Sequence, residues 1–98
     1  MGLGESSRQL YVEEKMEKVF SVLQKAITNI GHIDEINKKT KTIIAKTRYG
    51  LQTVKIRISL VPKNDGIIIN FNGFADDIWG GGARKGIDKI ANEFESLI

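Results

Sequence analysis

The segment Gln52–Val61 constrains the fold of this chain more than any other part of the sequence. Every second residue of it is apolar, at Val54, Ile56, Ile58 and Leu60. Side chains of a β-strand point alternately to the two faces of a sheet, so this period of two predicts a strand with one buried face and one wet face. A helix would distribute the same residues around its whole circumference.

Further strands are predicted on both sides of this segment. The turn residues Asn64–Gly66 tolerate positive φ and predict a hairpin into a strand at Ile67–Phe74. A run rich in β-branched residues predicts another strand at Thr42–Tyr49. A strand is also expected at His32–Asn37, where the isoleucines lie three residues apart and indicate a bulge.

Two amphipathic helices are predicted to flank the strands. Apolar residues recur at three- and four-residue spacing from about Glu13 to Ile30, and again from Ala83 to Ile98. Gly31 is expected to end the first helix in a left-handed conformation. Residues 1–9 are interpreted as a flexible leader, and Leu10 and Val12 as the end of a short strand.

The order of these elements, β-α-β-β-β-β-α, predicts a single α+β domain over residues 10–98. An antiparallel sheet would carry both helices on one face and leave its other face in water. The absence of cysteine excludes disulfides, thiolate metal sites and cysteine nucleophiles, and it fits a cytoplasmic location. No apolar run is long enough to span a bilayer, so no membrane span is expected.

Lys55 and Arg57 are predicted to point to the wet face of the sheet, and Lys46 and Arg48 share one face of the preceding strand. All four share the wet face if the register turns Ile43, Ala45, Thr47 and Tyr49 to the core. Such a cluster is either a weak nucleic-acid or anion-binding surface or a solvated face without a ligand. The net charge of +3 does not favour a polyanion strongly, and only Phe74 is expected to supply a stacking aromatic there. A protein or small-molecule partner is therefore favoured over nucleic acid.

The segment Asp76–Gly86 is the most unusual one in the sequence, because three consecutive glycines precede a predicted helix. Backbone N–H groups and two basic side chains would make it an anion site. The candidate anion-binding residues are Gly80, Gly81, Gly82, Arg84 and Lys85. The spacing matches neither a P-loop nor a dinucleotide fingerprint. A structural turn whose glycines adopt positive φ is the simpler interpretation.

No catalytic constellation is recognisable in the sequence. His32 is the single histidine, and a zinc site or a general base needs partners that the sequence does not supply nearby. Ser6 and Ser7 have no oriented base. The favoured function is a non-enzymatic binding or interaction module without a cofactor. A small-ligand enzyme with its site near the Trp79–Gly82 turn is the enzymatic alternative.

Four segments carry a resemblance to a known fold: Val19–Leu23, Thr42–Thr47, Val54–Leu60 and Asp77–Lys85. Together they resemble one repeat of the TATA-binding-protein fold, and more narrowly small bacterial domains of unknown function that use this fold as a single repeat. The resemblance implies a strand, a helix, an antiparallel meander and a second helix. It implies no activity, because the TATA-binding protein has two repeats and a largely apolar DNA-contacting face.

Overall fold

Five strands and two helices make up the part of the chain described by the computed structural model, residues 5–49, 52–75 and 81–98. The elements are β1 (Glu5–Val12), α1 (Met16–Ile30), β2 (Gly31–Asn37), β3 (Thr42–Tyr49), β4 (Gln52–Lys63), β5 (Gly66–Ala75) and α2 (Gly82–Leu97). The strands form one antiparallel sheet in the order β1-β5-β4-β3-β2. The predicted α+β class with an antiparallel sheet and two helices is confirmed.

The central strand β4 alternates between buried and exposed residues, as its sequence pattern predicts. Val54, Ile56 and Ile58 are fully buried, whereas Lys55 and Arg57 between them are exposed. Strand β4 pairs with β3 on one side and with β5 on the other. Directly opposed residues of neighbouring strands share a face, so the alternation of β4 extends across the sheet.

Both helices pack on the buried face of the sheet. The largest fully buried side chains they contribute are Val19, Leu23 and Ile27 from α1, and Ile87, Ile90 and Phe94 from α2. Helix α2 contacts β1, β3, β4 and β5, while α1 lies against β2 and against α2 itself. Among the described residues, no helix is long and apolar enough to cross a membrane.

Helix α1 begins later than its sequence pattern predicts. Its first residue is Met16 rather than a residue near Glu13, and Lys15 before it has extended backbone angles. The chain leaves β1 at Val12, so the intervening residues are used to cross from the sheet to the helical layer. Glu14 stabilises the helix from outside its first turn, with its carboxylate 2.9 Å from the Lys18 ammonium.

The end of α1 also differs from the prediction. Gly31 has φ −163° and ψ −145°, which is extended backbone and not the expected left-handed conformation. The helix passes into β2 without a loop, and a Cβ on Gly31 would collide with the backbone oxygen of Lys46. Close approach of two strands therefore explains this glycine. The Thr47 hydroxyl donates a hydrogen bond of 3.1 Å to the carbonyl of Ile30 and satisfies the helix end.

Residues 5–9 belong to β1, so the predicted flexible leader is wrong over this range, and residues 1–4 of it lie outside the described part. The pattern concealed the strand because its inward positions Ser6 and Arg8 are polar. Arg8 reaches across to α2, where its guanidinium lies 2.9 Å from the Asp88 carboxylate and 3.7 Å from that of Glu95. An edge strand joined to a helix by ion pairs does not need the apolar alternation.

The remaining strand predictions are confirmed. Strand β2 pairs with β3, and its register shifts between Ile33 and Glu35, which is the expected bulge. The hairpin between β4 and β5 closes at the Lys63–Gly66 pair, and Asn64 within it has a φ of 54°. Asparagine adopts this left-handed conformation more readily than most residues, which explains its position in the turn.

Truncation of a core aromatic residue is expected to cost a large part of the stability of the fold. Phe94 is fully buried and Phe20 is 7% exposed, so Phe94→Ala and Phe20→Ala should each lower the free energy of unfolding by about 3–5 kcal/mol. Phe74→Ala is the matched control, because Phe74 is 45% exposed and its loss should change stability by less than about 0.5 kcal/mol. Urea unfolding followed by circular dichroism measures all three. A cost below about 1 kcal/mol at Phe94 would contradict the core assignment.

A glycine of α2 is expected to be required by close packing. A Cβ on Gly86 would lie 2.6 Å from Cγ1 and 2.9 Å from Cβ of Val54, whose strand is held on both sides. Overpacking of about 1–3 kcal/mol should exceed the gain in helix propensity of about 1 kcal/mol, so Gly86→Ala should destabilise the fold. A Cβ on Gly81 would meet nothing within 4 Å, so Gly81→Ala should change the urea midpoint little. Equal midpoints for both variants would contradict this packing.

Candidate functional site

The sheet face that points away from both helices is exposed across its centre. It is termed the open face. It consists of the odd-numbered residues Thr53–Val61 of β4 and the residues paired with them on β3 and β5. The partners of those residues on the edge strands β2 and β1 complete it. Their side chains are exposed or half-buried where the structure describes them. Two neighbouring strands lie about 4.7–4.9 Å apart, so a ligand on this face would contact several strands at once.

All four predicted basic residues lie on the open face and are exposed: Lys46, Arg48, Lys55 and Arg57. This set is termed the basic cluster. Sharing a face required Ile43, Ala45 and Thr47 of β3 to point to the core, and all three are buried. The condition for a shared face is therefore met at these three residues, and the binding role of the cluster stays a prediction.

Three members of the basic cluster have no ion-pair partner within the described residues. The exception is Lys46, whose ammonium lies 3.4 Å from the Asp34 carboxylate. Asp34 is the extra residue of the β2 bulge, at the edge of the sheet. Its other carboxylate oxygen lies 3.6 Å from the imidazole of His32; the Asp34 side chain is partly buried and that of His32 is exposed. The bulge thus directs one carboxylate toward Lys46. Arg48, Lys55 and Arg57 have no comparable partner among the described residues.

Other carboxylates of the open face lie at its two edges. Glu5 is on β1, opposite Phe74, and Glu35 is on β2, opposite Ile44. The basic cluster occupies β3 and β4 between them. Positive charge is therefore concentrated over the middle of the sheet, although the whole chain has a net charge of only +3.

The register places two like charges directly opposite each other. Lys46 is the cross-strand partner of Lys55. Side chains in such a pair start about 4.5–5.5 Å apart at Cβ, and two charges of the same sign there oppose folding. Asp34 offsets part of this repulsion through its contact with Lys46.

Polar and aromatic side chains surround the basic cluster. Asn72 lies opposite Arg57, and Phe74 lies opposite Lys55. A shallow depression next to them is lined on this face by Ser7, Gln9, Ser59, Asn70 and Asn72. Tyr11 also lies on this face, paired with Ile68 at the far end of β1, so the expectation that Phe74 is its only aromatic is wrong. The missed extent of β1 explains that error.

The glycine segment lies only partly within the described residues. Residues 76–80 fall outside them, so the predictions made for Asp76, Asp77, Trp79 and Gly80 lie outside the described part. Gly81 has φ −92° and ψ −24°, so the expected positive φ is wrong at this position. Gly82 is buried in the first turn of α2, and its neighbours Arg84 and Lys85 are exposed. The backbone N–H of Lys85 already donates to the Gly81 carbonyl at 3.1 Å.

No combination of side chains that could hold a metal ion is present in residues 5–49, 52–75 and 81–98. His32 contacts one carboxylate only, and its side chain is 77% exposed. No known protein-family model matches the chain, and no curated protein matches it either. The chemistry of the chain's own surfaces is therefore the basis for assigning a function.

Removal of one charge from the like-charged pair is expected to leave the fold intact or to strengthen it. Lys55→Gln should raise the free energy of unfolding by up to about 1 kcal/mol, because it ends the repulsion with Lys46. Lys46→Gln should gain less, because it also removes the ion pair with Asp34. Urea unfolding at low salt, where the repulsion is screened least, compares the variants. A loss above about 0.5 kcal/mol for Lys55→Gln would give this lysine a structural role.

Proposed function

We propose that this protein is a non-enzymatic binding module that holds a nucleic acid on the open face of its sheet. The observation that carries this proposal is the basic cluster, whose four cations share one face and of which only Lys46 has an ion-pair partner among the described residues. The sequence pattern alone favours a protein or small-molecule partner over nucleic acid. The cations lie at the centre of the open face and the acids lie at its edges, and this arrangement favours nucleic acid over a protein or small-molecule partner.

A phosphate backbone is the ligand that suits this arrangement of charge. Phosphates are regularly spaced anions, and basic side chains that neutralise them release condensed counterions. Lys55 and Arg57 lie two residues apart on one strand, about 6.6–6.8 Å at the usual rise of a strand. Lys46 extends the cluster to the next strand. A cluster of this size supports binding in the range of about 10⁻⁴ to 10⁻⁶ M, as is usual for contacts without base readout.

We also propose that the fold is that of a single TATA-binding-protein-like repeat. The element order β1-α1-β2-β3-β4-β5-α2 agrees with the order that the resemblance implies. The basic open face, in contrast, differs from the largely apolar face of the TATA-binding protein, so the proposed binding rests on this chain's own residues. A bacterial source and a cytoplasmic location stay predictions, as does the enzymatic alternative near Trp79–Gly82.

The salt dependence of binding tests the proposed function. Four phosphate contacts should give a slope of log K against log salt of about −3.6 on duplex DNA and about −2.8 on a single strand. Arg57→Gln should weaken binding and reduce that slope by about 0.9 or 0.7, because one contact is lost. Fluorescence anisotropy of a labelled mixed-sequence oligonucleotide measures both quantities.

A matched control removes the same charge from the other side of the molecule. Lys25 is exposed on α1, so Lys25→Gln changes the net charge equally but should leave the slope unchanged. Absence of binding at about 0.01 M ionic strength, where screening is weakest, would refute the proposal. Preference for poly-glutamate over every oligonucleotide would assign the face to an acidic protein instead.

A further inference from the structure

We propose that the nucleic acid is single-stranded and that one of its bases stacks on Phe74. This inference rests on the proposed function and specifies the ligand of the same surface. Phe74 is on the open face, 45% exposed, and directly opposite Lys55 of the basic cluster. An exposed aromatic ring beside a phosphate-binding cation is the combination by which proteins bind single strands.

The ring of Phe74 is free to receive a base. The one cation that lies over an aromatic ring in the described part of the chain is Lys41, 5.1 Å from the ring centre of Phe20. Lys55 therefore does not cover Phe74, although the two residues are cross-strand partners. A free π-face binds the face of any base, whereas the bases of an intact duplex are already stacked on each other.

Charges around Phe74 determine on which side the phosphates pass. Glu5 is its other cross-strand partner, on the edge strand β1, and would repel a phosphate. Lys55 and Arg57 lie on the opposite side, on β4. The backbone of a bound strand is therefore directed over β4 and β3, with a base projecting back toward β5. This arrangement places the stacked base and the neutralised phosphates on adjacent strands.

Amide side chains next to Phe74 supply hydrogen-bonding groups for base edges. Asn72 lies two residues from Phe74 on the same face and is exposed. In the described residues its side chain forms no hydrogen bond to protein. Asn70 is engaged through its amide oxygen, which accepts a hydrogen bond of 2.6 Å from Gln9. A free asparagine amide can both donate to and accept from an unpaired base. The neighbouring depression gives a second base room to lie beside the first.

Tyr11 provides an internal control for this inference. It is 47% exposed on the same face, almost as much as Phe74. Its partner Ile68 lies six residues from Phe74 along β5, about 20 Å at the usual rise of a strand. No member of the basic cluster lies opposite Tyr11 or Ile68. Lys63 is the cation beside Tyr11, and it is not part of the basic cluster. Stacking coupled to the binding of several phosphates is therefore expected at Phe74 and not at Tyr11.

The test compares variants and probes that each lack one part of the contact. The variants are Phe74→Leu, Phe74→Tyr and Tyr11→Leu. The probes are a mixed-sequence single-stranded 10-mer, its abasic counterpart and a blunt duplex. A usual single-strand site covers about four to sixteen nucleotides, so the 10-mer can span it. Phe74→Leu should raise Kd for the single strand about 5- to 150-fold, while Phe74→Tyr and Tyr11→Leu should leave it close to the original. Phe74→Leu should leave the salt slope unchanged, because it removes no phosphate contact.

The abasic probe separates stacking from charge. Base removal should weaken binding of the unchanged protein by about the same factor, and should have no further effect in Phe74→Leu. Equal binding of normal and abasic strands, with the Arg57→Gln slope change still present, would overturn stacking and leave the proposed function standing. Tighter binding of the duplex than of the single strand would also overturn the proposed stacking on Phe74. Absence of binding to every oligonucleotide at low salt would refute both proposals together.

Discussion

The pairing register of β4 is the constraint on which the rest of this structure depends. This strand pairs on both sides, so its register fixes the faces of β3 and β5 as well. A slip of one residue would turn every side chain of the strand to the other face, placing Lys55 and Arg57 under the helices and Ile56 in water. The cost of burying those charges excludes such a slip. Hydrophobic core and basic cluster are therefore consequences of one register.

Packing on the helical side keeps the opposite side of the sheet open. Both helices lie on one face, and Gly86 allows α2 to approach β4 so closely that a Cβ would contact Val54. The polar inward residue Arg8 of β1 is held by ion pairs with Asp88 and Glu95 of α2. Helix α2 thus contributes to the core and also holds the edge strand β1. In the described part of the molecule, nothing else is packed over the open face.

The open face combines a cost in stability with a chemistry suited to a polyanion. Lys46 and Lys55 repel each other across the sheet, and within residues 5–49, 52–75 and 81–98 only Asp34 offsets that repulsion. The net charge of the chain does not reveal this local excess of positive charge, since acids at the sheet edges and on the helices reduce it to +3. A ligand with phosphates would remove the repulsion on binding and use the cations in one step. Phe74 lies opposite Lys55, and the proposed stacking of a base would use this exposed ring.

Local patterns predict strand β4, the hairpin at Asn64 and the bulge in β2, because these depend on periodicity and turn chemistry within short segments. They leave the shared face of the basic cluster open, because it depends on how β3 pairs with β4. The sequence by itself did not determine that residues 5–9 form a strand, that Gly31 is extended, or that Tyr11 lies on the open face. Those features, and the position of Phe74 between Glu5 and Lys55, were decided by the tertiary structure alone. The physical reason is that each depends on contacts between residues far apart in the chain, which local patterns do not encode.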